Sequence, residues 1–462
     1  ASANDHIATE HFQFMLTHLI KPSKNIDITT KAYRNTFKRN WYKLQDVRVD
    51  GENFSLANIL QDPIKYQSAY NLLTATTNGD DNSLRYRANN RSYETTGIQT
   101  DANFKFNENT LKHDLNVGVR YHEESEDRFH WTDGYTIRNK KLLQTSAGVP
   151  GTQTNQVTTG YTFAAFALYN VTLNNLRLTP GIRYENMNFY SKNYGTENPD
   201  RNENQPVVIN QNKVSVVIPG ISALYNVTDK LSLFSSVHKG FAPPGVKEGQ
   251  KAEESVNFEI GTRYHRTNFS SEIVFFNNSY SNMLGADSNA AGGTGEGDLF
   301  NAGKANVSGA ELLLGFDLIN ESEMKIPITI NYTYTKTELK SDFNSSVEAW
   351  GDVKIGDEIP YIPKHVLAAS LGFEYKKLKT YLNTRYNGAF RTQAGQGFIP
   401  TENKINSFLV FDMAANYEIS KNLVVKTQIL NLLNNKYAVA RVPSGLRPGM
   451  PFAIHAGVLF NF

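Results

Sequence analysis

The sequence predicts an all-β protein, a transmembrane antiparallel β-barrel. Three observations point there. Apolar and polar residues alternate with a period of two along most of the 462 residues. The connections between the alternating segments switch regularly between short turns and long loops. The chain finishes on an alternating strand that ends at an aromatic residue, Phe462.

The alternation is consistent from segment to segment. Ile98, Thr100, Ala102, Phe104 and Phe106 oppose Gln99, Asp101, Asn103 and Lys105. Leu115, Val117 and Val119 oppose Asp114, Asn116 and Arg120. Ile182 and Tyr184 oppose Arg183 and Glu185; Phe258 and Ile260 oppose Asn257 and Glu259. Ile326, Ile328, Ile330 and Tyr332 oppose Thr329, Asn331 and Thr333, and Leu382 and Tyr386 oppose Asn383 and Arg385. A small soluble sandwich buries its apolar face centrally, but strands of about ten residues or more suit a lipid-facing wall. The inward charges Arg120, Arg183, Arg263 and Arg385 are expected to bond a plug and the opposite wall. In the last strand Phe452, Ile454, Ala456, Val458, Phe460 and Phe462 share a face. An unpaired edge invites aggregation, so this strand is expected to pair and close a barrel.

Short turns fall at Lys21–Asn25, Asn107–Thr110, Leu173–Asn175, Asn226–Lys230, His265–Asn268, Ile319–Glu323, Lys376–Lys377 and Ile419–Asn422. Long loops fall at about 43–90, 127–160, 191–212, 241–253, 284–305, 338–361, 392–404 and 432–450. All short turns therefore collect at one end, the asymmetry of outer-membrane barrels. Counting gives about 17 strands of a barrel of about 22, since bacterial single-chain barrels have even numbers. On that count the first strands precede residue 1. The opening ASANDHIATE has neither a signal peptide nor an initiator Met, which marks a processed chain or a piece of a longer one.

Composition excludes several classes. Lys+Arg 47 against Asp+Glu 45 gives a net charge of +2, so bulk charge implies no nucleic-acid partner. Cysteine is absent, which removes disulfides, thiol catalysis and cysteine-ligated metals. Mean hydropathy is −0.46, and no apolar run is long enough for a membrane-spanning helix. Tyr 24 and Phe 27 suit aromatic girdles. Histidines are scattered, and neither GxSxG nor HExxH occurs, so no enzyme is expected. Gly292–Gly297 reads as a loop tip, because no helix follows it. Ser55–Ala75 carries Leu56, Ile59, Leu60, Tyr66, Tyr70, Leu72 and Leu73 at helical spacing around Pro63, which predicts one short helix packed under its loop. Phe241–Gly245, with Pro243 and Pro244, reads as a strand exit.

Several motifs resemble those of TonB-dependent outer-membrane receptors. They include Asn431-Leu432-Leu433 with Asn434 and Tyr437, Gly449-Met450-Pro451, and the terminal Phe462. Upstream stand Ser236–Pro244, Asn257-Phe258-Glu259-Ile260-Gly261, Asn301-Ala302-Gly303, Ser308-Gly309-Ala310-Glu311 and Pro360–His365. Within the family, Lys239–Pro244 and Ser83–Tyr93 look like the ferric dicitrate receptors. The resemblance implies import of an iron chelate, ferric dicitrate or another, energised through the TonB complex. It also implies an outer-membrane location beside lipid and lipopolysaccharide, a monomer, and no cofactor apart from iron carried inside the ligand. Family members have a plug and a TonB box ahead of the barrel. Neither is recognised here, so residues 1–462 read as the barrel portion. Other family ligands (catecholate siderophores, heme, cobalamin, glycans) and a passive porin remain open.

An anionic ferric chelate calls for guanidinium groups, which bind carboxylates in bidentate fashion. Arg85, Arg87 and Arg91 cluster with Asn89 near an outer strand end. Arg128 and Trp131 open the next long loop, Arg391 and Gln393 sit at another strand exit, and Arg441 and Arg447 lie in the last loop. These are the candidate ligand contacts. For any one of them the alternative is charge balance or contact with lipopolysaccharide phosphates.

Overall fold

The computed structural model describes residues 2–286, 299–321, 323–347, 349–442 and 445–461. The Gly292–Gly297 run and Phe462 lie outside them. Among the described residues nineteen strands belong to one hydrogen-bonded sheet. Two are short, Glu52–Ser55 and Lys141–Ser146. The others are β1 (His6–Ser23), β2 (Ile26–Val49), β3 (Leu84–Glu108), β4 (Leu111–Arg138), β5 (Thr154–Leu173), β6 (Leu176–Asn193), β7 (Val208–Asn226), β8 (Leu231–Ala242), β9 (Glu253–Arg266), β10 (Phe269–Tyr280), β11 (Ala305–Asn320), β12 (Met324–Leu339), β13 (His365–Tyr375), β14 (Leu378–Asn387), β15 (Phe408–Ser420), β16 (Leu423–Leu430) and β17 (Ala453–Phe460). All eight expected short turns fall between consecutive strands. Two of them place Asn in the left-handed region, Asn109 at φ 53° and Asn174 at φ 51°, which the short polar side chain tolerates. No described helix is long and apolar enough to cross a membrane, which says nothing of strands.

Two compact units make up the chain. The first comprises Ala1–Tyr169, Gly181–Ile218 and Pro243–Ala252; the second comprises Asn170–Pro180, Pro219–Ala242 and Glu253–Phe462.

In the first unit β1 pairs with β2, β2 with β3, and β3 with β4, all antiparallel. The apolar face stays exposed where lipid would lie, with Ile98 at 50 % and Val119 at 49 %. The loop limits need correction. Residues expected in the loops 43–90 and 127–160 are strand as far as Val49, from Leu84, and as far as Arg138. A spanning strand needs about 9–11 residues, whereas β2, β3 and β4 have 24, 25 and 28. The outer halves run past the length that lipid requires, and the backbone ladder continues through them.

The expected single helix is two, α1 (Leu56–Gln61) and α2 (Gln67–Leu73). Pro63 falls between them, and it disfavours helical backbone at Asp62 and lacks an N–H of its own. The Ser55 side chain caps α1 by accepting from Asn58 N at 3.1 Å. The packing under the loop is as expected. Ile59, Ala69 and Leu72 join Leu44, Val47, Leu84 and Tyr86 in a buried cluster.

In the second unit β8 to β17 follow as antiparallel neighbours, and β17 pairs with β16 from Leu423↔Phe460 to Leu430↔Ala453. Pro243 and Pro244 follow directly on the end of β8, the expected strand exit. The polar-face arginines bond along their own wall. Arg263 pairs with Glu272 at 2.6 Å here, as in the first unit Arg183 pairs with Glu185 at 2.6 Å and Arg120 reaches Tyr33 at 3.0 Å. This differs from the expected contact with an opposite wall, because neighbouring strands are nearer partners.

The C-terminal signature is a hydrogen-bonded knot. Asn431 is 1 % exposed and has φ 48°. Its amide nitrogen donates to the carbonyls of Asn435 and Met450, both at 2.9 Å, and its amide oxygen accepts from Asn435 N at 2.9 Å. A Cβ at Gly449 would meet the Tyr437 ring at 2.0 Å, so only glycine fits there. Asn431→Ala removes three hydrogen bonds made by a buried side chain and should cost about 1–3 kcal/mol. Asn431→Gly should recover little, since it restores the backbone freedom alone. Denaturant unfolding checks this, and an unchanged midpoint for the alanine variant would contradict it.

Candidate functional site

The outer halves of β2, β3 and β4 present cationic side chains on one face. Residues directly opposite in an antiparallel ladder point the same way. Arg39 of β2 opposes Arg91 of β3, and Arg91 opposes Arg128 of β4. Three arginines therefore share one rung. On one side lies the rung Phe37, Tyr93 and Glu126. On the other, Trp41 opposes Asn89, and beyond that Lys43 opposes Arg87, which opposes Thr132. This face continues into the polar side of β3 at Gln99, Asp101 and Asn103.

The charges on these rungs are Arg39, Lys43, Arg87, Arg91 and Arg128 against Glu126. Glu126 accepts from Arg91 Nη1 at 2.9 Å and pairs with Arg128 at 2.9 Å. Burial alone would raise its carboxyl, but the hydrogen bond from Arg128 and the charges of Arg128 and Arg91 outweigh that and hold it below the usual range. Arg87 donates to Thr154 of β5 at 3.1 Å. The Nε of Arg39 is buried without a hydrogen-bond partner, and its guanidinium carbon lies 5.9 Å from the Tyr93 ring centre. Lys43 sits over the Trp41 ring at 4.2 Å; burial, then the charge of Arg87, lowers its ammonium. Like charges in one rung repel by up to about 3 kcal/mol per adjacent pair at an effective dielectric of about 20 and about 5 Å. One carboxylate relieves only part of that. The remainder makes the face a place where an anion is stabilised.

His130 lies among these groups, 1 % exposed, near the far end of the 28-residue β4 and so outside any lipid-spanning part. Burial, then the guanidiniums of Arg87, Arg91, Arg128 and Arg39, pushes its imidazole down to about 3. It is neutral at physiological pH.

Of the expected contacts, Arg85, Arg87, Asn89, Arg91 and Arg128 fall on this face, all within strands. Arg85 is tied to Asp46 at 3.6 Å, and Asn89 donates to the Trp41 carbonyl at 3.0 Å. Trp131 does not join them. It opposes Ala88, one residue out of phase, and packs against the apolar cluster that holds α1 and α2. Arg39, Trp41, Lys43, Glu126 and His130 were not anticipated. Their signal was period-two spacing, Arg39, Trp41 and Lys43 on one side of β2, continuing past the expected strand end.

The remaining candidates belong to the second unit. Arg391 is 4 % exposed and donates to Glu358 at 3.0 Å, while Glu358 also meets Lys364 at 2.6 Å. Gln393 accepts from Asn403 at 2.7 Å. Arg441 donates to the carbonyls of Thr401 at 2.8 Å and Lys404 at 3.4 Å. It also lines a cavity of about 700 Å3 with Lys404, Phe408, Lys436 and Tyr437. Arg447 is exposed in a short strand pair with Ala438–Ala440. Arg391 and Arg441 thus brace loops.

Comparison with known proteins fits this architecture. Residues 9–432 match the family described as TonB dependent receptor-like, beta-barrel. The ferrienterobactin receptor of Escherichia coli (strain K12) is 24 % identical over 311 residues, which cover 63 % of this chain and 39 % of that protein. The crystal structure of the siderophore receptor PiuA from Acinetobacter baumannii superposes with a TM-score of 0.74 at 17 % identity, over 99 % of this chain and 65 % of that one. The ferric citrate transporter FecA in its unliganded form gives 0.69 at 17 % identity, over 98 % and 62 %. The chain spans less than half the length of the curated relatives it matches. At this identity the solved structures establish the fold. The match across most of the chain establishes more: it belongs to the TonB-dependent receptor β-barrel family, and it is an outer-membrane protein.

Proposed function

We propose that this chain is the barrel of a receptor for an anionic ferric chelate, taken up with energy supplied through TonB. The observation that supports this most is the rung Arg39–Arg91–Arg128 with Arg87 and Lys43 beside it. Guanidinium forks match carboxylates and other chelating oxyanions, and a partly desolvated site strengthens each contact. Ferric dicitrate is the first ligand to test, because its free carboxylates suit several forks at once. A ferric catecholate is the second reading. It is also an anion, and a relative is named for ferrienterobactin.

Arg87→Ala and Arg91→Ala should each weaken ferric dicitrate binding by about 10- to 100-fold, the worth of a charge-assisted hydrogen bond. Calorimetric titration of the detergent-purified protein measures this. Unchanged affinity in both variants would remove the ligand from this face. Tight binding of a ferric catecholate with none of ferric dicitrate would favour the second reading.

Arg391→Ala is the contrasting variant. It leaves Glu358 half-paired in a partly buried setting and should lower the unfolding midpoint while affinity stays within about twofold. A large loss of affinity with unchanged stability would show that the second-unit arginine contacts the ligand instead.

A further inference from the structure

His130 is held in a way that no structural role requires. Its backbone carbonyl accepts from Gly151 N at 3.0 Å and Gln153 N at 3.1 Å, which fixes the residue in place. Arg87 Nη2 then lies 3.3 Å from its Nδ1, and Arg91 Nε lies 3.4 Å from its Nε2. A neutral imidazole has one acceptor nitrogen and one N–H. With a guanidinium against each nitrogen, one contact sets a donor against a donor. The surrounding groups are Arg39 and Lys43 from β2, Arg87, Arg91 and Tyr93 from β3, Glu126 and Arg128 from β4, and Thr154 from β5. The cluster is left frustrated, and a bound anion would relieve it by drawing the guanidinium forks away from the ring.

We propose that His130 takes up a proton when a polyanionic chelate occupies the arginine face, so that the face selects its ligand by net negative charge. The proposal rests on reading this face as the anion site. The proton comes from solvent and no bond other than N–H forms. Before binding, four guanidiniums oppose the imidazolium. Burial still disfavours the imidazolium, but a polyanion that more than offsets the four guanidinium charges raises the imidazole from its free value, and protonated His130 adds a donor on each nitrogen.

The sign follows from linkage. The histidine titrates higher in the bound state than its free value of about 3. Affinity therefore rises as pH falls through the bound-state value, by up to about tenfold per pH unit, and levels off below the free value. Above the bound-state value the histidine contributes nothing. A neutral ferric chelate offsets no arginine charge and recruits no proton.

Calorimetry near pH 6.5 in two buffers of different protonation enthalpy counts the protons. Ferric dicitrate is titrated into the whole protein, and buffer blanks remove the chelate's own proton exchange. The expected result is net proton uptake by the wild type that grows as the pH is lowered from 6.5 to 5, with none by His130→Gln, which binds more weakly and without the pH slope. Wild-type binding with no proton uptake would overturn the inference while leaving the anion site standing. So would equal uptake by His130→Gln. If the variant fails to fold, the absence of proton uptake by the wild type still overturns the inference. No binding of either ferric dicitrate or a ferric catecholate would overturn the proposed function, and this inference with it.

Discussion

The site depends on the register of three strands well beyond the membrane. β2, β3 and β4 keep one hydrogen-bonded alignment through their outer halves. That alignment alone places Arg39, Arg91 and Arg128 in a single rung. A slip of one residue in any strand would turn its side chains to the opposite face. Glu126 offsets only part of the repulsion among the three guanidiniums. The backbone ladder and the packing behind it must overcome that repulsion.

That packing lies on the reverse side of the same strands. Leu44, Val47, Leu84, Tyr86 and Ala88 are buried there with Ile59, Ala69 and Leu72 of the two short helices. Tyr42 adds a hydrogen bond to Asp133 at 2.6 Å. At about 25 cal/mol per Å2 of apolar surface, such a cluster supplies several kcal/mol where the wall has left lipid. The helices thereby brace an extended sheet from the side opposite the arginine face. This division of labour explains why the tryptophan packed there, Trp131, is a supporting residue.

Much of the fold was legible because local rules govern it. Period-two alternation marked the spanning strands, and the regular switch between short turns and long loops marked their two ends. The outer strand limits were missed because the strands run far past the length a membrane requires, although Leu84, Tyr86 and Ala88 still alternate there with Arg85, Arg87 and Asn89. Lys43 read as the start of the loop, and Arg39 and Trp41 stood just before it without being singled out. Arg85, Arg87, Asn89, Arg91 and Arg128 could be named from their types and spacing. Trp131 could not be separated from them without a register that distinguishes odd from even positions. Arg391 looked like its first-unit counterparts until its partner Glu358, distant in sequence, was in view.

The most direct measurement compares two ligands on the same protein. Equilibrium binding of ferric dicitrate and of a neutral ferric trihydroxamate would be followed at equal salt, with quenching of tryptophan fluorescence as the signal, since Trp41 lies on the arginine face. The account predicts saturable binding of the anion and at least about tenfold weaker binding of the neutral chelate, the margin that one lost charge-assisted contact gives. Equal affinity for the two would contradict it, because a face built from Arg39, Arg87, Arg91 and Arg128 cannot be indifferent to the charge it receives.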